Sequence, residues 1–161
     1  SPDVIIMTTG ARYRSYCSSV ARTYFINPDK SIESAYNVLL QVSLVSVGAV
    51  YCNLPIHFQV REACLEAMRP GHPANDVWKA AINVIRNSSR HSVLLPAFTK
   101  NCGFLTGQEY RDSSFMLNSK NSSLFKENMV FILSVGFNGL KSKKKTAAML
   151  LNDTVVITNG M

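Results

Sequence analysis

Residues 8–25, TTGARYRSYCSSVARTYF, place two small hydroxyl side chains, Thr8 and Ser19, eleven positions apart in a β-prone stretch. Two strands leaning on one another would set such positions at a separation that suits a pair of carboxylates, the groups that bind metal ions or move protons in hydrolysis. Threonine and serine supply neither the charge nor the titratable proton. The other chemistry-bearing residues are scattered. Cys17, Cys52, Cys64 and Cys102 form no C-x-x-C pair, and His57, His72 and His91 stand apart. A zinc site therefore has no support, and buried reduced thiols in a nuclear or cytosolic protein are the expectation. Two charged groups remain: Glu109, Arg111 and Asp112 in EYRDSS, and Lys141, Lys143, Lys144 and Lys145 in KSKKK.

The elements that must position these residues can be read along the chain. Its 161 residues are 47% hydrophobic and 17% charged, which is enough to bury a core and is not the composition of a disordered segment. The formal charge of +7 is compatible with anionic partners and says nothing of fold. The opening, SPDVIIM, carries no basic leader, and a chain starting on Ser1 reads as a piece cut from a longer protein. DVIIMTTG, ARYRSYCS and VARTYFI read as strands with a tight turn near Gly10 and Ala11. Ser31 is placed to cap a helix through IESAYNVLLQ. In GHPANDVWKAAINVIRNSS, Asn75 or Asp76 is the expected cap, and Val77, Trp78, Ala81, Ile82 and Ile85 form the buried stripe of a helix ending near Asn87. From FTKNCGFLTG onward the pattern is strands (SSFMLN, MVFILSVGF, TAAMLLNDTVVIT) separated by turn-rich NSKNSS and NGLKSKKK. Strands, helices, strands is the order of an α+β domain with helices packed on a largely antiparallel sheet.

Residues 42–59, VSLVSVGAVYCNLPIHFQ, break this order. No charge occurs from Ser34 to Val60, yet the apolar residues follow no helical stripe, and Gln41, Asn53, Pro55 and His57 speak against a membrane span. With 42–59 lifted out, SIESAYNVLLQ joins VREACLEAMRPG into one amphipathic helix bearing Tyr36, Leu39, Val60, Cys64 and Met68, which Pro70–Gly71 stops. The segment reads as an insertion, and in the sharper version as an in-frame intron, since a leading Val and a final Gln are residues that splice sites could encode. Sequencing mature message across these codons tests that version; their presence there would refute it.

GARYRSYCSSVARTYFI resembles the segment of the creatinase/aminopeptidase, or pita-bread, family that runs D-x-G-a-x-y-x-g-Y-x-s-D-x-t-R-T-f. Further along, GFLTG (103–107) is similar to the family's histidine loop, NMVFILSVG (128–136) to its first glutamate strand and NDTVVIT (152–158) to its last. In working members the two aspartates, the histidine and the two glutamates hold a pair of divalent metal ions. Carried over position by position, they are Thr8, Ser19, Phe104, Ser134 and Asn152 here. A second family histidine, in a v-H-E-x-P setting, is Arg111, and a glycine of the loop is Leu105. Two adjacent dications need several carboxylates, and these side chains supply no formal charge.

YCSSVARTYFINP, FTKNCGFLTGQEYRDSSFMLNSKN, NMVFILSVGF and AMLLNDTVVIT are more closely similar to the peptidase-like N-terminal domains of the large subunits of the FACT histone chaperones. That resemblance implies the later part of a pita-bread domain over residues 1–161, interrupted at 42–59, with no catalytic residue, metal or cofactor. It implies a nuclear, chromatin-associated module that binds histones or nucleosomes during transcription, replication and repair. The smaller HMG-type subunit would be met through parts of the protein outside this chain. Glu109, Arg111 and Asp112 are expected to pair at the rim of the old cleft or to face a partner. Lys141 and Lys143–Lys145 are expected to form a solvated hairpin loop or to make weak, non-specific DNA contacts. The rival readings are an active metal-dependent aminopeptidase or creatinase-type hydrolase, and a membrane protein resting on 34–60.

Overall fold

Period-two patterning dominates both ends of the chain, and both ends form strands. The computed structural model describes residues 3–27, 30, 35, 60–88, 91–142 and 145–158. Six strands make one sheet in the order β1-β2-β6-β5-β3-β4, every pairing antiparallel. They are β1 (Asp3–Tyr13), β2 (Tyr16–Ile26), β3 (Gly103–Thr106), β4 (Asp112–Met116), β5 (Val130–Ser142) and β6 (Lys145–Val156). Three helices lie between β2 and β3: α1 (Val60–Ala67), α2 (Ala74–Asn87) and α3 (His91–Ala97).

The expected turn at Gly10 and Ala11 is not there. β1 runs through both residues and turns at Arg14 and Ser15, whose φ angles of 47° and 71° give the two-residue loop the handedness that strand twist favours. No Asn-Gly or Asp-Gly signal marks that turn, and Gly10 drew the expectation away from it. The Lys-rich hairpin is also longer in strand than expected. β5 continues through Ser142, with a bulge at which Asn138 and Gly139 stand opposite Ala148 alone, and Gly139 takes φ 77°. Helix α2 is preceded by Pro73, not capped by Asn75 or Asp76; both acceptors instead hold Lys79 Nζ, at 3.2 and 2.8 Å. Of its predicted stripe, Val77, Ala81, Ile82 and Ile85 are buried and Trp78 is half-buried. Helix α3 was not expected at all: HSVLLPA is short and carries Pro96, both poor helix signals. α1 ends before Pro70–Gly71, as the breaker pair predicts. The proposed insertion, the helix signal through 31–41 apart from Ala35, and the uncharged run up to Val60 lie outside the described residues.

Alternation divides the sheet into two unlike faces. Phe131, Leu133, Val135 and Phe137 of β5, with Met149 and Leu151 of β6, point to the helices and share one buried cluster with Val60, Cys64, Val77, Ile85 and Leu94. Phe115, Phe125 and Phe131 pack there with ring centroids 5.1–5.9 Å apart. The helices therefore cover one face only, α1 and α3 against β5 and α2 across both helices. The opposite face, carrying the even-numbered residues of β1, of β6 and of β5 before its bulge, and the odd-numbered ones of β2, has none of the described helices on it.

Candidate functional site

Register decides which side chains meet on that helix-free face. Thr8 stands beside Ala21, Ala21 beside Asn152, and Asn152 beside Ser134, one row across four strands. Directly opposed residues share a face. Ser19 lies two residues along β2 from Ala21, and Phe104 opposes Ile132, two residues from Ser134. All five positions singled out in the sequence thus lie on one side of the sheet. They differ in depth: Ser19 and Asn152 are buried, Ser134 and Phe104 half-buried, Thr8 exposed.

At the centre of the row, β2 and β6 pair through the backbone only at Ala21 and Asn152. Side chains complete the junction. Thr154 Oγ1 accepts from Ser19 N–H at 2.9 Å and donates to Ser19 C=O at 3.0 Å, while Thr23 Oγ1 does the same for Leu150, at 2.9 Å each. Two threonine hydroxyls stand in for missing ladder bonds on either side of the Ala21–Asn152 pair. Ser19 Oγ and Asn152 Oδ1 are themselves buried without a hydrogen-bond partner among the described residues. Orphaned buried oxygens are uncommon and mark a place where water or a ligand group completes the bonding.

The loop positions are filled by rings. Phe104 meets Tyr110 edge-on at 5.6 Å, and the Arg111 guanidinium lies 5.2 Å from the Phe104 centroid, with Nη2 3.9 Å from Met116 Sδ. Glu109, Arg111 and Asp112 do not pair with one another, against expectation. Arg111 turns to the ring, Asp112 Oδ1 accepts Ser114 N–H at 2.8 Å, and Glu109 uses its backbone carbonyl, which accepts from Gly107 N–H at 3.0 Å. The Ser114 hydroxyl and N–H hold the Asp112 carboxyl below its usual range, so its small contribution is present at neutral pH and lost as pH falls through the depressed value. Lys141 is exposed near the far end of β5 and Lys145 opens β6 opposite Ser142, which is eight residues along β5 from Ser134 in the row, roughly 27 Å along the strand. The two charged groups of the sequence are therefore separate places. Lys143 and Lys144 lie outside the described residues.

What the sequence did not reveal is the ion network on the helix side. Asp153 sits between two arginines: Oδ1 accepts Arg22 Nη2 and Oδ2 accepts Arg61 Nε, each at 2.6 Å. Arg61 Nη1 also reaches Glu62 at 2.6 Å, and Arg22 Nη1 donates to the carbonyls of Ala21 and Asn152 at 2.8 and 2.7 Å. Burial works against the Arg61 charge, but the bonds and attraction of Asp153, then Glu62, outweigh it and raise its pKa. The signal was present as an Arg at the start of a helix and an Arg-Thr on β2, but only register joins them. The thiol expectation holds for Cys64 and Cys102, which are buried and free; a hydrogen bond between them, then burial, pushes the Cys64 thiol up. Cys17 is half-buried and Cys52 lies outside the described residues.

A model of metallopeptidase family M24 matches residues 1–159. The chain belongs to that family. Among curated relatives, it is 34% identical over 156 residues to the FACT complex subunit SPT16 of Debaryomyces hansenii and 35% identical over 162 residues to that of Arabidopsis thaliana. Each match takes in 97% of this chain and 13% of the relative, so the chain spans about an eighth of their length. The N-terminal domain of chickpea SPT16 superposes with a TM-score of 0.80 at 35% identity, over 96% of this chain and 33% of that one. Prolidase from Pyrococcus furiosus shares the fold, with a TM-score of 0.71 at 20% identity over 97% of this chain and 39% of that one. The pita-bread expectation is thereby met: an antiparallel sheet with helices on one side.

The M24 resemblance implies two divalent cations, and the residues present do not fit them. On the face in question the donors are the hydroxyls of Thr8, Ser19 and Ser134 and the amide of Asn152, all neutral. Asp153, next to Asn152 in the chain, projects from the other face and is taken up by Arg22 and Arg61. Among the described residues, no three His, Cys, Asp or Glu side chains gather at one point.

Proposed function

We propose that this chain is a non-catalytic peptidase-like module that binds histones or other chromatin proteins within a FACT-type complex. The observation that carries the proposal is the uncharged set Thr8, Ser19, Ser134 and Asn152 on the helix-free face, where the side-chain oxygens of Ser19 and Asn152 lack a hydrogen-bond partner among the described residues. Unpaired carboxylates in such a place would be costly once no cation balanced them, and hydroxyls and an amide avoid that cost while keeping the shape. An extended peptide offers backbone N–H groups at strand spacing, the donors that such a row can receive. Similarity to SPT16 subunits supports the chromatin setting and, with it, a nuclear location and a role in nucleosome reorganisation during transcription, replication and repair. Contact with a smaller HMG-type subunit would run through parts outside this chain.

Titration of the purified chain with core histones and with histone tail peptides at moderate salt tests the proposal. Saturable binding is expected. Because chain and histones are both basic, affinity should hold or improve as salt screens their repulsion. Absence of binding to every histone and tail would end it. DNA contact through Lys141 and Lys145 would instead fall steeply with added salt. Hydrolysis of short peptides that a chelator abolishes would establish the rival hydrolase reading in its place.

A further inference from the structure

Cys64 on α1 and Cys102 in the link between α3 and β3 meet in the core, on the side of the sheet that the helices cover. Both are fully buried among apolar neighbours such as Val60, Val77 and Leu117, and both are free thiols. A hydrogen bond joins their side chains, and Cys64 Sγ lies 3.7 Å from the Val77 carbonyl oxygen. Two sulfurs in such contact reach bonding distance by a small side-chain rotation, provided that one of them can turn.

The two sides of the pair are held differently. Cys102 N–H donates to Leu117 C=O and Cys102 C=O accepts from Ser134 N–H, each at 2.7 Å, so its backbone is pinned from both sides. Cys64 stands in the middle of α1, where an unbranched side chain changes rotamer without moving the helix. The bond between the thiols also divides their labour. Cys64, whose thiol is pushed up by that bond and by burial, keeps its proton and donates it, and a donated hydrogen bond favours the thiolate form of the sulfur that accepts it. Cys102 is therefore the nucleophile of the pair and Cys64 the partner that resolves it. Cys17 takes no part, since it lies on β2 beside Gln108 C=O at 3.8 Å.

From this contact in the core we infer that Cys64 and Cys102 form a reversible disulfide when the protein meets hydrogen peroxide, stapling α1 to the link before β3. Peroxide is small enough to enter a core that larger oxidants cannot. The Cys102 sulfur attacks one peroxide oxygen, the O–O bond breaks, and the second oxygen leaves as water with the Cys102 proton. The Cys64 sulfur then attacks the resulting sulfenic acid, forms the S–S bond and releases a second water with its own proton. Two thiols and one peroxide thus become one disulfide and two waters, the sulfurs oxidised and the peroxide reduced. A thiol reductant reverses the step by exchange. Disulfides inside reducing compartments are of this transient, sensing kind. The bond closes a loop that contains α2 and α3, and a loop of that length takes much freedom from the unfolded chain. It also ties α1 to the residue whose carbonyl holds Ser134 of the uncharged row.

Peptide mapping of the intact chain reads the bond: hydrogen peroxide under native conditions, alkylation of remaining thiols in denaturant, then digestion without reductant and mass spectrometry. The expected result is one linked pair of peptides carrying Cys64 and Cys102, returned to two free thiols by dithiothreitol. The melting temperature of the oxidised chain should exceed that of the reduced chain by roughly 5–12 °C. Cys64→Ala should lose both the linked pair and the shift. The double variant Cys17→Ser, Cys52→Ser leaves the core untouched at the pair and should keep both, so it decides the matter even where Cys64→Ala folds poorly. Cys64 and Cys102 still open to alkylation after peroxide overturn the inference. So does a bond that joins either of them to Cys17 or Cys52, or a Cys102 carried on to sulfinic acid without any link to Cys64.

Discussion

Gly103→Ala is expected to destabilise the protein by about 3–4 kcal/mol, lowering its melting temperature by roughly 6–16 °C in a thermal scan. Gly103 opens β3 with φ +140°, and a Cβ there would lie 2.1 Å from the Ile132 carbonyl oxygen and 3.1 Å from Leu133 Cα. Both obstacles are backbone on the neighbouring strand, so no side chain can swing aside. The strand cannot retreat, because the Gly103 carbonyl accepts Leu117 N–H at 2.9 Å and the preceding Cys102 carbonyl accepts Ser134 N–H at 2.7 Å. Relief of the collision would pull β3 from β5 and displace Phe104 and Ser134 together. Gly107→Ala, four residues on, is the control: nothing lies within 4 Å of its added Cβ, and a change within about 0.5 kcal/mol is expected. Equal losses at both positions would show that the close approach at Gly103 is not what matters.

Asp153→Ala is the second large effect, at about 3 kcal/mol in chemical denaturation. The Asp153 side chain is 13% exposed, and its removal leaves Arg22 and Arg61, 34% and 27% exposed, without their shared counter-ion. Most of that cost is the stranded charge rather than the lost attraction. Arg61 keeps Glu62 and Arg22 keeps its two carbonyl acceptors, which hold the loss near the low end for a buried pair. The triple change Arg22→Met, Arg61→Met and Asp153→Leu should therefore recover most of the stability that the single change removes. A triple variant no more stable than Asp153→Ala would show that the network contributes net attraction. Since the chain's one carboxylate beside Asn152 is committed to this structural role, the same experiment separates stability from any partner binding on the opposite face.

Much of the fold was legible because it rests on local pattern. Alternation in MVFILSVGF and TAAMLLNDTVVIT predicts β5 and β6, and the 3.6-residue stripe predicts α2. The misses were local as well. The turn at Arg14–Ser15 carries no Gly, Pro, Asn or Asp, Gly139's bulge was read as loop, and α3 holds a proline and has no stripe. In each case tertiary contacts override a weak or misleading local preference. Arg111 was expected to find a carboxylate close in sequence, yet a ring from β3 lies nearer in space.

The sequence by itself determined the α+β class, the family frames around residues 8–25, 103–107, 128–136 and 152–158, and the absence of charge at Thr8, Ser19, Phe104, Ser134 and Asn152. These follow from residue type and from spacing along one strand. Only the tertiary structure decided that the five share a face and that Asp153 turns to the other face to join Arg22 and Arg61. Those outcomes depend on strand order and register, in which a slip of one residue sends every side chain to the opposite side of the sheet. Register is set by pairing between segments more than a hundred residues apart, such as Ala21 with Asn152, and no local pattern records it.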